Sequence, residues 1–313
     1  VIGDAMQPKN NDWSGGYIEW IEDDTVFLSI VFSWQLDDAY QRACWYKILG
    51  YNVRAGGPAV IMNPGFLDSI ADTSEQIDAL PRHNPNATFT TRGCPRKCDF
   101  CAVPKIEGSL VELDDWPIKP IICDNNILAA NRKHFDSVID KLKPLTQVDF
   151  NQGLDARLLT PYHAERLAEL DLKCVRLAWD HSRLEAQFMR AFEALRNADI
   201  PANMIRSYVL IGFNDTPEDA LYRLQTIRSL GAWPNPMRYQ PLNTKKKNEY
   251  IHPNWTHREL IKFMRYWSNI RYTGGVPFDE FDDSKRNNKN SLPKNNLQIG
   301  ICTAKNKRLN ESY

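Results

Sequence analysis

Short apolar runs alternate with amphipathic stretches along most of this chain. Residues 25–32 are β-branched and aromatic and predict a buried strand. Residues 36–49 have helical spacing, with Ala39, Ala43, Tyr46 and Ile48 among the apolar positions, and Gly50 ends the run. A second short strand follows over 52–55, closed by the Gly56-Gly57-Pro58 turn. This is one β-α-β-like unit. Residues 63–86, rich in Pro, Asp and Asn, read as a linker.

From residue 87 onward the pattern becomes regular. Strands are predicted over 87–91, 120–123, 147–150, 174–179, 204–211 and 236–240. Helices are predicted over 131–142, 160–170, 183–198 and 256–272, and another runs from Thr216-Pro217-Glu218 to Gly231. Such alternation implies parallel strands joined by right-handed helical crossovers, in an open or partial barrel or a doubly wound sheet. Either form binds ligands at the carboxyl ends of its strands. Asp124, Asn126, Gln152, Asp155, Asp180 and Asn214 all fall at such ends.

The loop after the first strand of this series holds Cys94, Cys98 and Cys101 in a Cys-x3-Cys-x2-Cys pattern. Three thiolates are one short of the four that close a structural metal or cluster site. Either a fourth residue completes the set, or one metal position stays open for chemistry. Cys123 is a candidate fourth ligand, but zinc sites usually pair two Cys-x2-Cys knuckles and no second knuckle exists here. Cys44, Cys174 and Cys302 read as incidental thiols, and the histidines form no ligand pattern.

Composition adds exclusions. The 313 residues carry 39 Lys plus Arg against 39 Asp plus Glu, so net charge points to no polyanionic partner. The apolar run 25–34 is too short to span a bilayer, and no signal peptide precedes it, so neither a membrane nor a secreted protein is expected. Seven cysteines, odd in number and concentrated in one loop, suit a reducing cytoplasm better than a disulfide framework. Residues 284–313 are dominated by Lys, Asn and Ser and predict a disordered, solvated tail.

The cysteine motif, with aromatic Phe100 before its last cysteine and its place after the first strand of a six-unit β/α series, resembles the radical S-adenosylmethionine superfamily. The resemblance covers residues 87–272 and implies a partial (β/α)6 barrel, preceded by a reduced Rossmann-like unit and linker over 1–86. It also implies a reason for the missing ligand. The three cysteines bind three irons of a [4Fe–4S] cluster, and the fourth iron binds S-adenosylmethionine. An electron delivered by a flavodoxin or ferredoxin then releases a 5′-deoxyadenosyl radical, which acts on a substrate the chain does not identify.

The resemblance places Phe100 near the adenine and Asp124 and Asn126 at the methionine amino group, although the glycines usual at that second-strand motif are missing. It places Gln152, Arg157 and Asp180 at the ribose or carboxylate, and Gly212 at the end of a segment packed along the adenine. Structural alternatives are an Asp155–Arg157 pair and Asp180 as a helix cap. Gly93-Cys94-Pro95 and residues 101–108 look like the loop of methylthiotransferases and cobalamin-dependent members. The further N-terminal cysteines and the Asp-x-His-x2-Gly motif are lacking, so bound cobalamin is disfavoured. A different class of function also fits the cysteines: a binding module stabilised by zinc or a cluster, touching nucleic acid through its basic tail.

Overall fold

A computed structural model describes residues 13–282 of the chain. The predicted tail and Cys302 lie outside those residues. Strands β1 (Tyr17–Glu22), β2 (Thr25–Ile30) and β3 (Asn52–Gly56) form a three-stranded sheet. β1 and β2 are an antiparallel hairpin turning at Asp23, whose φ of 52° is left-handed, and β3 runs parallel to β2. Helix α1 (Leu36–Ile48) turns Leu36, Ala39, Ala43 and Tyr46 onto Val26, Leu28, Ile30 and Val53, the core of this unit. The short helix α2 (Pro58–Met62) adds Ala59 and Val60.

The hairpin strand β1 was not expected. Its two acidic residues, Glu19 and Glu22, and its half-exposed positions hide the alternation of an edge strand. The stretch 63–86 is more than a linker, because Leu67 and Ala71 bury in the same core and helix α3 (Leu80–His83) forms inside it.

The larger part is a six-stranded, wholly parallel sheet. Its strands are β4 (Ala87–Thr88), β7 (Ile121–Ile122), β8 (Val148–Phe150), β9 (Leu172–Ala178), β10 (Ile205–Ile211) and β11 (Trp233–Arg238). They lie side by side in chain order. A small antiparallel pair, β5 (Thr91–Arg92) with β6 (Val111–Glu112), is inserted after β4, flanking α4 (Val103–Ile106). Helices α5 (Arg132–Leu142), α6 (Pro161–Ala168), α7 (Glu185–Asn197) and α8 (Pro217–Ser229) make the crossovers. They bury Val138, Leu167, Phe188, Leu195 and Leu224 in one core with Val175, Leu177, Ile205 and Val209 of the strands. Each such fully buried side chain contributes roughly 1.5–3 kcal/mol of hydrophobic stabilisation, at about 25 cal/mol per Å² removed from water.

Three boundaries differ from the pattern-based expectation. The run 87–91 is two elements, because Thr91 turns away to pair with Glu112. β11 begins at Trp233 although Pro234 and Pro236 lie within it. It pairs only with β10, and an edge strand can direct the positions that lack an N–H to its open side. The predicted helix 256–272 breaks at Ser268 and Asn269 into α9 (His257–Trp267) and α10 (Ile270–Thr273).

A buried histidine ties α3 to the N-terminal sheet. His83 is 7% exposed and lies between the Ser14 and Ser29 hydroxyls, the latter 2.9 Å from Nε2. Burial pushes its pKa below the usual histidine value. The unfolded chain therefore takes up the proton first, and His83's contribution is intact above about pH 6.5 and lost as pH falls through the folded value. His163 is depressed by burial as well and acts in the same direction. Denaturant midpoints measured from about pH 7.5 to about pH 5 should fall less steeply for His83→Gln than for the unaltered protein. Equal slopes would contradict this assignment.

Candidate functional site

The cysteine loop is held at both ends by carboxylates. At its start, Asp124 is buried at 4% exposure. It accepts hydrogen bonds from the Thr90 and Thr91 amides, at 2.6 and 3.0 Å, and from the Thr90 hydroxyl. This fixes the point where the chain leaves β4. At the neck, Glu107 accepts from the Gly93 amide and from Asn125 Nδ2, both at 2.8 Å, and pairs with Arg92 at 3.0 Å. The Cys94 amide donates to the Gly108 carbonyl at 3.1 Å. Gly93 sits at φ 74°, and a Cβ there would meet the Ser109 carbonyl oxygen at 2.1 Å. Only glycine fits this crossing of the loop's two ends.

Beyond the neck the loop opens onto a cavity of about 190 Å³ at the carboxyl ends of β7, β8 and β9. Its lining joins the three cysteines to Phe100, Asn126, Gln152, Arg157 and Asp180. Eight of the ten residues that the resemblance assigns thus share one wall, with Asp155 beside them and Asn214 outside it. Two others do not line it: Asp124 pins the loop from behind, and Gly212 turns the chain after β10 at φ 74°, where its amide donates to Asp215 at 2.9 Å. That turn sets Phe213 edge-on to Phe100, with ring centroids 5.7 Å apart, and Tyr239 backs Phe213 at 4.7 Å.

Asp155 is the electrostatic hub. Its side chain is 8% exposed and accepts from Arg157 Nε at 2.6 Å, Arg96 Nε at 3.2 Å and Asn126 Nδ2 at 3.3 Å. Burial would raise its pKa, but the Arg157 contacts outweigh that and hold the carboxyl below its usual range. The expected Asp155–Arg157 pair is therefore present, as part of the cavity wall. Asp180 behaves differently. Burial pushes its pKa up to about 6, against the pull of Arg223 and Arg157. It is not the cap of the next turn, whose capping side chain is His181.

The cysteines sense one another. Burial pushes the Cys101 thiol up, the Val103 amide draws it down, and Cys98 and Cys94 push it up again. Cys94 Sγ receives the Arg96 amide at 3.4 Å and Asn126 Nδ2 at 3.6 Å. Cys98 helps to hold the Arg157 guanidinium above its ordinary pKa, after Asp155. Cys123 stands apart from this group. It is 3% exposed, absent from the cavity lining, and pushed up to about 12 by burial and then by Asp124, which is the setting of an inert thiol.

The donor set suits an iron–sulfur cluster. Among the described residues no three His, Cys, Asp or Glu side chains converge to hold a single metal ion. A four-iron cluster asks for something else: thiolates spaced around one volume, each meeting a different iron, with N–H groups directed at the sulfurs. Three part-exposed cysteines on one cavity, with amide and side-chain donors on Cys94, meet that description. Asn126 supplies a further sign, because its Oδ1 is buried with no donor, beside the cysteines and on the cavity.

A second carboxylate centre supports the site from behind. Asp215 accepts from Arg223 at 2.7 Å, from the amides of Gly212 and Phe213, and from Trp255 Nε1 at 3.0 Å. Arg223 is fully buried and also donates to the carbonyls of Trp179 and Leu210 at 2.9 and 3.0 Å. This network clamps the ends of β9 and β10 next to Asp180. Neither Arg223 nor Asp215 stands out in the sequence. A lone arginine on a helix reads as a solvated charge, and only its place on the apolar face of α8, with Ala220, Leu224 and Ile227, marks it. No protein-family model matches the chain, and no curated protein matches it.

Proposed function

We propose that this chain is a radical S-adenosylmethionine enzyme built on a partial (β/α)6 barrel. The observation that carries the reading is that Cys94, Cys98, Cys101 and the polar ends of β7, β8 and β9 line one cavity. A sheet with six parallel strands in chain order, helically connected, is the arrangement from which such a barrel is made. Bound to the three cysteines, a [4Fe–4S] cluster supplies the electron that cleaves the carbon–sulfur bond of S-adenosylmethionine.

The protein's part is to bind, orient and shield. Asn126 Oδ1 is a buried acceptor in want of a donor and suits the ammonium of the methionine moiety. Arg157, held by Asp155 in a fixed plane, suits the carboxylate. Asp180 and Gln152 lie on the same wall and would suit ribose hydroxyls, and the Phe100–Phe213 pair would offer an aromatic edge to the adenine. A raised pKa leaves Asp180 able to be drawn back to its charged form by a cationic ligand.

The electron comes from an external donor of flavodoxin or ferredoxin type, and the substrate is taken up beside the cofactor. Among the described residues no helix is long and apolar enough to cross a membrane. Anaerobically reconstituted protein given dithionite and S-adenosylmethionine should release 5′-deoxyadenosine or methionine. Neither product above the level of Cys98→Ala would refute the proposal.

A further inference from the structure

The sheet carries a second cavity, of about 270 Å³, beside the first residues of β10 and β11. Arg176, Arg206 and Trp233 form one register row across β9, β10 and β11, and all three line it. The break between α9 and α10 closes the other side, bringing in Trp267 and Arg271. No carboxylate lines this cavity.

The three arginines are not equivalent. Arg176 is committed to Asp149, with Nε to Oδ1 at 2.8 Å, so its charge is already met. The Arg206 side chain makes no hydrogen bond or ion pair among the described residues, although it is half-buried. Arg271 has no carboxylate partner there either and lies over the Trp233 ring at 4.8 Å, while Arg228 covers the same ring at 4.9 Å. An arginine facing a concave wall normally finds an acid or a carbonyl. The independent sign comes from Trp267. It is 3% exposed, lines the cavity, and its Nε1 is buried with no acceptor. A buried N–H without a partner is costly, and a bound oxygen would relieve it.

We infer that this cavity binds a small phosphomonoester, its phosphate oxygens meeting Arg206, Arg271 and the Trp267 indole N–H. The half-buried Arg206 and the exposed Arg271, neither paired with a carboxylate, match a dianion in charge, and guanidinium geometry matches phosphate oxygens. The site stands independently of the cysteine cavity, so either assignment can fail without the other.

The test is a titration of the full chain with inorganic phosphate, and separately with glycerol phosphate and acetate, at constant ionic strength. The readout is the Trp267 indole N–H resonance, identified by its loss in Trp267→Phe. Both phosphates should shift it saturably, with acetate much weaker. Arg206→Gln and Arg271→Gln should each weaken phosphate binding about tenfold, with unchanged far-ultraviolet circular dichroism, while Lys133→Gln on α5 should not. An absent or non-saturable shift, equal affinity in Arg206→Gln, equal binding of acetate, or exclusion of glycerol phosphate would each overturn the assignment.

Discussion

Alanine at Cys94, Cys98 or Cys101 is expected to abolish iron loading and to lower S-adenosylmethionine cleavage about a hundredfold or more, since even residues behind a metal's ligands commonly cost 10- to 100-fold. The loop's own supports do not depend on these thiols. Asp124 and Glu107 hold it through backbone amides, so the apoprotein variants should remain folded. Cys123→Ala and Cys44→Ala are the matched controls. Cys123 is a buried, high-pKa thiol behind the loop, and neither residue lines the cavity. Iron and acid-labile sulfide analysis of the five single variants should separate them into three empty proteins and two loaded ones. Loss of iron in Cys123→Ala as well as in the three loop variants would point instead to a four-cysteine site.

Truncating Arg223 should destabilise the protein by about 3–5 kcal/mol, the usual cost of leaving one partner of a buried ion pair uncompensated. Arg223 is fully buried, and Asp215 would be left among apolar neighbours with only the Gly212 and Phe213 amides and Trp255. Arg223→Met with Asp215→Asn should recover part of the loss, because the stranded charge is then gone. Denaturant unfolding of the two single variants and the double variant measures the coupling directly. The same substitution has a consequence at the cavity. Arg223 pulls the Asp180 pKa down, so its removal leaves burial opposed chiefly by Arg157 and moves Asp180 further up. A simple additive cycle would show that the clamp at the ends of β9 and β10 does not act as a unit.

The parallel strands and their crossover helices are legible in the sequence because each couples a short apolar run to an amphipathic one. The candidate site is legible for a related reason: polar residues such as Gln152 and Asp180 interrupt otherwise apolar strands at the same end. What stayed hidden is what depends on long-range partners. Glu107 and Asn125 meet at the neck of the loop from positions 18 apart, and nothing local marks the pair. Asp124 looks like a ligand contact from its place after β7, yet its carboxylate is spent on the Thr90 and Thr91 amides. Arg206, Arg271 and Trp267 come together only because β10 and the break after α9 reach the same cavity. β1 and β11 were obscured by acids and prolines that only an edge strand tolerates.

The most direct measurement is electron paramagnetic resonance of the anaerobically prepared, dithionite-reduced protein before and after adding S-adenosylmethionine. Three cysteine ligands around one cavity predict about four irons per chain and a reduced-cluster signal whose g-values change when S-adenosylmethionine binds. Iron-free protein holding zinc, or a cluster signal indifferent to S-adenosylmethionine, would contradict an open iron site at Cys94, Cys98 and Cys101.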